Sequence, residues 1–197
     1  MVSGNAMAHL YLDVPDRSRS RPTTRDARFR SLVPMLLGRP SVDLLITPAH
    51  ESAIVRARDR GVATVWRDAR GYHYRRDSGD PLGLGTDISA ASTSEAYDAT
   101  LESDYPDGII QILHLATAPR SGEIILSASR DWDFRARYEP IPHISSHGAL
   151  HREHMLVPLL VNHPVKREPR RTVDVMPSAL AALGLPVPPG LDGESFL

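Results

Sequence analysis

Cysteine is absent from this chain of 197 residues. Its absence excludes disulfide bonds, thiolate metal sites and cysteine nucleophiles together. Long apolar runs are lacking too, since no stretch approaches the roughly 18 apolar residues that a membrane-spanning helix needs. The first residues lack the basic-then-apolar order of a signal peptide. We therefore expect no membrane partner, and a cytoplasmic location if the chain is expressed as it stands.

An excess of charge of either sign is also lacking. The formal net charge is −1, and the apolar and charged fractions of 41% and 24% are those of an ordinary soluble globular protein. The densest basic patch consists of Arg167, Arg170 and Arg171. We interpret this patch as a solvated loop rather than a polyanion-binding surface. The sequence therefore predicts no nucleic-acid partner.

Hydrophobic periodicity predicts helices and strands that alternate along the chain. The strand-like runs cover residues 8–14, 42–47, 62–67, 72–75, 123–127 and 155–161, and the helical runs cover residues 26–37, 92–101, 106–113 and 173–183. A short glycine-containing connection joins the runs at 62–67 and 72–75, which favours a β-hairpin. The alternation predicts an α/β fold in which helices flank a sheet, with the hairpin as a small antiparallel annex. Since no linker divides the chain, we expect one domain over residues 1–197.

Histidine is abundant, with nine residues in the chain. Neutral imidazole is the commonest protein ligand for zinc and similar ions, so a cluster of histidines indicates a metal site. Four histidines have no acidic or histidine companion at ligand spacing, and we assign them structural or surface roles: His9, His50, His73 and His114. The other five lie close together in sequence: His143, His147, His151, His154 and His163.

Two arrangements within this cluster suggest metal chemistry. The first, His151 with Glu153 and His154, has the wrong spacing for a zinc-protease helix, which needs two histidines four residues apart and the glutamate beside the first. The second is His147 followed by Gly148. Glycine lets the backbone turn tightly, so the preceding imidazole can approach an ion closely. The pattern makes His147 able to approach an ion, and the flanking sequence bears on its role.

The sequence around His147 resembles the end of the alkaline phosphatase superfamily, and most closely its branch of type I phosphodiesterases and nucleotide pyrophosphatases. The matching segments occur in the family's order: residues 122–127, Ser146-His147-Gly148, and residues 157–160, 171–180 and 191–197. The resemblance implies a partial three-layer αβα sandwich. It also implies that His147 completes the first of two zinc sites, on an exposed loop at an edge of the sheet, with His151 and His154 directed elsewhere. The implied substrate is a phosphate ester.

The nucleophile and the other metal ligands of the family are not matched in this chain. No Asp-His dipeptide and no Asp-x-x-x-His spacing occurs, whereas two-metal hydrolysis needs ligands from several loops. We therefore assign no catalytic residue, and we expect a truncated C-terminal portion that is inactive alone and complemented by an N-terminal half or a second copy. The alternative is a non-catalytic interaction module, and a weaker alternative is sulfatase-like hydrolysis.

Overall fold

The computed structural model describes residues 5–12, 27–134 and 145–197, without the side chains of residues 27–29. Residues 13–14 of the first predicted strand, residue 26 of the first predicted helix, and His143 lie outside the described residues. The chain forms two compact units, one up to Val157 and the other from Pro158 to Leu197. The expectation of one domain over residues 1–197 stays a prediction.

Seven strands and four helices make up the described part of the first unit. They are β1 (Met7–Leu10), α1 (Ala27–Leu37), β2 (Val42–Ala49), β3 (Ser52–Ala57), β4 (Gly61–Asp68), β5 (Gly71–Gly79), β6 (Ile88–Ala91), α2 (Thr93–Leu101), α3 (Gly108–Thr117), β7 (Ile124–Ala128) and α4 (Arg152–Met155). The strands form a single sheet in the order β1-β7-β2-β3-β4-β5-β6. Every pair of neighbouring strands in this sheet is antiparallel.

The predicted fold class is therefore wrong. The α/β expectation, a partial three-layer αβα sandwich with a small hairpin annex, is replaced by a seven-stranded antiparallel sheet with few helices. Strands β2 to β6 follow one another along the chain without an intervening helix, so no parallel crossover unit forms among them. The hairpin assigned to an annex is the β4–β5 pair of this same sheet.

Strand β2 explains why the apolar pattern was misleading. Leu44 and Ile46 belong to the large core, which also contains residues of α2 and α3. Val42 and Leu45 belong to a second apolar cluster, into which α1 packs from the same side of the sheet. Because both faces of β2 are covered, the three consecutive residues 44–46 are apolar and fully buried, as in a buried parallel strand. The continuous apolar run of β2 indicates that both faces of the strand are buried. It does not indicate whether the neighbouring strands are parallel or antiparallel.

Strand β3 was missed because its turn carries no common turn signal. Ala49 pairs with Ser52, so only His50 and Glu51 form the connection between β2 and β3. His50 has a φ of 56°, a left-handed conformation that two-residue hairpin turns usually assign to asparagine or glycine. Without that signal, the sequence indicated one strand where the chain forms two.

The strand predicted at residues 155–161 is also absent. The chain is helical over Arg152–Met155, and residues 156–161 have no regular secondary structure. Pro158 lacks the backbone N–H that a sheet ladder needs. Leu160 is 95% exposed, so the apolar run lies at the surface rather than in a core.

A buried carboxylate organises the second unit, which contains a 3₁₀ turn (Thr172–Asp174) and α5 (Val175–Ala182). Asp174 accepts hydrogen bonds from the backbone N–H groups of Arg170 at 3.1 Å and Glu194 at 3.0 Å. The Arg171 N–H also donates to this carboxylate, at 3.3 Å, and the guanidinium of Arg167 lies 3.1 Å from it. Burial alone would raise the pKa of Asp174, but the N–H groups and Arg167 outweigh burial and lower the pKa.

The interpretation of the basic patch as a solvated loop therefore does not describe Arg167. Besides the contact with Asp174, its Nε donates to the backbone oxygen of Ser195 at 3.1 Å. Arg167 holds the C-terminal tail of this unit.

Among the residues described, no helix is both long and apolar enough to cross a membrane.

The β4–β5 register can be tested with two glycine substitutions. Gly61 has a φ of 108°, and a Cβ placed there would lie 1.8 Å from the Ser78 backbone oxygen, whereas a Cβ at Gly83 (φ 67°) would meet nothing within 4 Å. We expect Gly83→Ala to cost about 1–2 kcal/mol of unfolding free energy for the left-handed backbone alone. Gly61→Ala should cost clearly more, because β5 must also move. Equal losses in urea unfolding of the two variants would contradict this register.

Candidate functional site

His147 lies in an irregular segment, residues 145–149, and its side chain is exposed. Its backbone oxygen accepts a hydrogen bond of 2.9 Å from the N–H of Ala6. Ala6 immediately precedes β1, the first strand in the sheet order. An exposed position on a loop beside this strand is where the sequence analysis placed His147, although its role as a metal ligand stays a prediction.

Two further hydrogen bonds hold the residues that follow His147. The Ala149 N–H donates to Nδ1 of His154 at 3.2 Å, and the Leu150 N–H donates to Oγ of Ser127 at 3.0 Å. Ser127 is fully buried in β7. The segment from His147 to Leu150, which we call the His147 loop, is therefore attached at three backbone positions to groups that are themselves held by the fold.

Glycine allows this loop to turn immediately after the histidine. Gly148 has a φ of 100°, a backbone conformation that residues with a Cβ rarely adopt. The next two residues, Ala149 and Leu150, are buried. The chain thus passes within three residues from an exposed imidazole to the interior, as expected for a histidine followed by glycine.

His151 and Glu153 form a hydrogen-bonded pair beside the loop. Nδ1 of His151 lies 2.8 Å from Oε2 of Glu153. A carboxylate can only accept, so Nδ1 carries the proton and donates it. His151 is buried, whereas Glu153 is largely exposed. A carboxylate that orients a histidine in this way is common behind metal-ligating imidazoles.

His154 packs against His151, with ring centroids 4.2 Å apart. Burial and the nearby charges of His151 and His147 lower the pKa of His154, and together they outweigh the charge of Glu153, which raises it. Nδ1 of His154 thus faces the backbone of the His147 loop at the Ala149 N–H. The expectation that His151 and His154 are directed away from a metal site stays a prediction.

An arginine connects this pair of histidines to the rest of the first unit. Nε of Arg130 donates to Oε1 of Glu153 at 2.8 Å, and its Nη2 donates to Oδ1 of Asp104 at 2.9 Å. Arg130 follows β7, and Asp104 lies between α2 and α3. The network therefore fixes α4, which carries His154, relative to the end of β7.

The residues present fit a zinc ion only in part. An exposed neutral imidazole is a suitable zinc donor, and His147 offers one. Among the described residues, however, no group of three or more histidine, aspartate or glutamate side chains is arranged to hold a metal ion. Hydrogen bonds within the protein already engage Nδ1 of His151 and Nδ1 of His154, so only Nε2 of either ring remains for an ion. The described residues therefore bring together too few ligands for a closed zinc site.

Three of the four histidines assigned to structural or surface roles contact partners among the described residues. Nδ1 of His9 accepts from the Gly122 N–H at 3.2 Å, and Nε2 of His114 lies 3.3 Å from the Tyr72 hydroxyl. His73 is buried, stacks on Trp66, and lies 3.1 Å from a carboxylate oxygen of Asp68.

One of these contacts resembles a catalytic arrangement but lacks its chemistry. Oγ of Ser89 is 3.5 Å from Nδ1 of His73, and Asp68 lies on the opposite nitrogen. The Ala90 N–H, however, donates to the same Nδ1 at 3.2 Å. Because that lone pair is occupied by a better-placed donor, His73 cannot act as a base toward Ser89. His73 instead links β5 to β6.

Comparison of the chain with protein-family models, with curated proteins and with solved structures finds no match. The resemblance to the alkaline phosphatase superfamily therefore rests on the sequence segments around His147 alone.

The pKa of Glu153 gives a direct test of this network. Its own backbone N–H, followed by Arg130 and His151, lowers the pKa of Glu153 to about 2. In Arg130→Gln the pKa should rise toward the model-peptide value of about 4.3 and stay below it, because the backbone and His151 contacts remain. NMR titration of the side-chain carboxyl carbon measures both values.

The sign of the accompanying stability change follows from the lowered pKa. In the wild type, Glu153 should contribute to the free energy of unfolding at pH values above its unfolded-state pKa, and this contribution should be lost as the pH falls toward about 2. In Arg130→Gln, the free energy of unfolding should fall less over the same pH range. An unchanged Glu153 pKa in this variant would contradict the Arg130–Glu153 contact.

Proposed function

We propose that this chain contributes His147 as one ligand of the metal centre of a phosphate-ester hydrolase of the phosphodiesterase or nucleotide pyrophosphatase type. The observation that carries the proposal is the anchoring of the His147 loop. An exposed imidazole sits on a loop whose backbone is fixed at Ala6, Ser127 and His154. A ligand held in advance loses less conformational freedom when a metal binds than one on an unanchored loop.

Zinc is the ion that the resemblance favours, and when bound it would supply Lewis-acid polarisation of a phosphoryl oxygen and an activated nucleophile. The residues of this chain have more limited roles. His147 would bind the ion, while the loop contacts orient its imidazole. The nucleophile and the remaining ligands would have to come from elsewhere, because the sequence offers no match for them. The chain on its own is accordingly proposed to be inactive.

A second candidate is an interaction module, and the second unit favours it. In Pro158–Leu197 only four residues are buried, namely Asp174, Pro177, Ser178 and Phe196. Most of the exposed large apolar side chains in the described part of the chain lie in this unit, between residues 159 and 187. Concentrated exposed apolar surface is typical of protein interaction sites. The two candidates do not exclude each other, because they concern different units of the chain.

Hydrolysis assays separate the candidates. The isolated chain should show no zinc-dependent turnover of an aryl phosphate or an aryl phosphodiester, because no residue in it matches the nucleophile of the family. Joined to an N-terminal segment from a type I phosphodiesterase that carries the nucleophile and an Asp-His pair, it should gain zinc-dependent turnover. In that fusion, His147→Ala should lower the rate by about a hundredfold, the order of effect seen when groups that hold a catalytic metal in place are lost.

The matched control is His163→Ala, which removes another exposed histidine from the same fusion and should leave the rate unchanged. Turnover by the isolated chain that survives His147→Ala would overturn the proposal. A folded fusion without turnover would favour the interaction module instead.

A further inference from the structure

We propose that His154 is a positioning residue: as a neutral imidazole protonated at Nε2, it uses Nδ1 to hold the Ala149 N–H and so sets the direction in which His147 is presented. The inference rests on the proposed function in one respect, that His147 is the group being presented. The contacts of His154 are independent of any metal.

The backbone N–H of Ala149 requires a hydrogen-bond acceptor within the protein. Ala149 is 2% exposed, so its N–H has little access to solvent and needs a protein acceptor. The acceptor is Nδ1 of His154, at 3.2 Å. Between Ala149 and His147 stands only Gly148, which has no side chain to restrict the backbone. The loop direction therefore depends on the hydrogen bonds on either side of this glycine.

The hydrogen bond to Ala149 fixes the tautomer of His154. Nδ1 can accept only when it carries no proton, so the neutral ring of His154 must be protonated at Nε2. His151 has the opposite tautomer, because its Nδ1 donates to Glu153. The two rings pack at 4.2 Å with their planes tilted by 39°. Since Glu153 is also bonded to Arg130, His151 is held in place and supports the ring of His154 beside it.

Two substitutions of His154 distinguish the role of Nδ1 as an acceptor from the role of the ring in packing. His154 could contribute by filling space against His151, without any role for Nδ1. Asparagine has an acceptor oxygen at the same number of bonds from Cβ as Nδ1, whereas leucine has comparable bulk and no acceptor. His154→Asn therefore keeps the proposed function of the side chain, and His154→Leu removes it while preserving apolar volume.

The experiment combines three NMR readouts with a urea unfolding curve on the full chain. Long-range ¹H–¹⁵N spectra should show His154 protonated at Nε2 and His151 at Nδ1. The Ala149 amide should exchange with solvent about tenfold faster in His154→Leu and within about threefold of wild type in His154→Asn, a difference of one hydrogen bond. The unfolding midpoints identify any variant that is destabilised throughout. Addition of ZnCl₂ should shift the His147 ring signals at lower concentration in wild type and His154→Asn than in His154→Leu.

The outcomes distinguish this inference from the proposed function. Unchanged Ala149 exchange in His154→Leu, or equal acceleration in both variants, would overturn the positioning role. A His154 ring protonated at Nδ1 would overturn it as well. If the exchange rates and tautomers are as expected but His147 does not respond to zinc in wild type, His154 still positions the loop and the proposed metal function fails.

Discussion

The position of His147 depends on β7, the strand that holds both β1 and β2. β7 is buried along its whole length, so its polar groups are satisfied within the protein. One of them, Oγ of Ser127, accepts the hydrogen bond that anchors the loop after His147. β7 also pairs with β1, which begins directly after Ala6, and the Ala6 N–H anchors His147 itself. The site and the sheet thus share one structural element, and a change in β7 would alter both.

Local elements were predictable from the sequence, whereas their arrangement was not. The strands at β2, β4, β5 and β7 and the helices α2 and α3 follow from periodicity and turn signals. Strand direction did not follow, because burial on both faces of β2 leaves the same apolar pattern whether its neighbours are parallel or antiparallel. The β3 strand was hidden by a turn at His50 that lacks glycine. Topology is decided by pairings that a one-dimensional pattern does not encode.

For the candidate site, the sequence indicated the exposed loop of His147 through the glycine that follows it. The groups that hold this loop were missed. Ser127 carried one signal, since it is a polar residue at the end of an apolar run, but nothing in the spacing links it to Leu150, 23 residues away. Arg130 and His154 became visible only once α4 and the end of β7 were in place. Hydrogen bonds that cross between elements depend on the tertiary fold, and the order of residue types along the chain does not specify them.

The central claim is that His147 is a preformed ligand within an incomplete metal site. Calorimetric titration of the isolated chain with ZnCl₂ at neutral pH tests it most directly. With one imidazole as the ligand, the account predicts an affinity on the order of micromolar or weaker, abolished by His147→Ala and retained in His163→Ala. Tight binding of two ions per chain, or binding that persists without the His147 imidazole, would contradict the account.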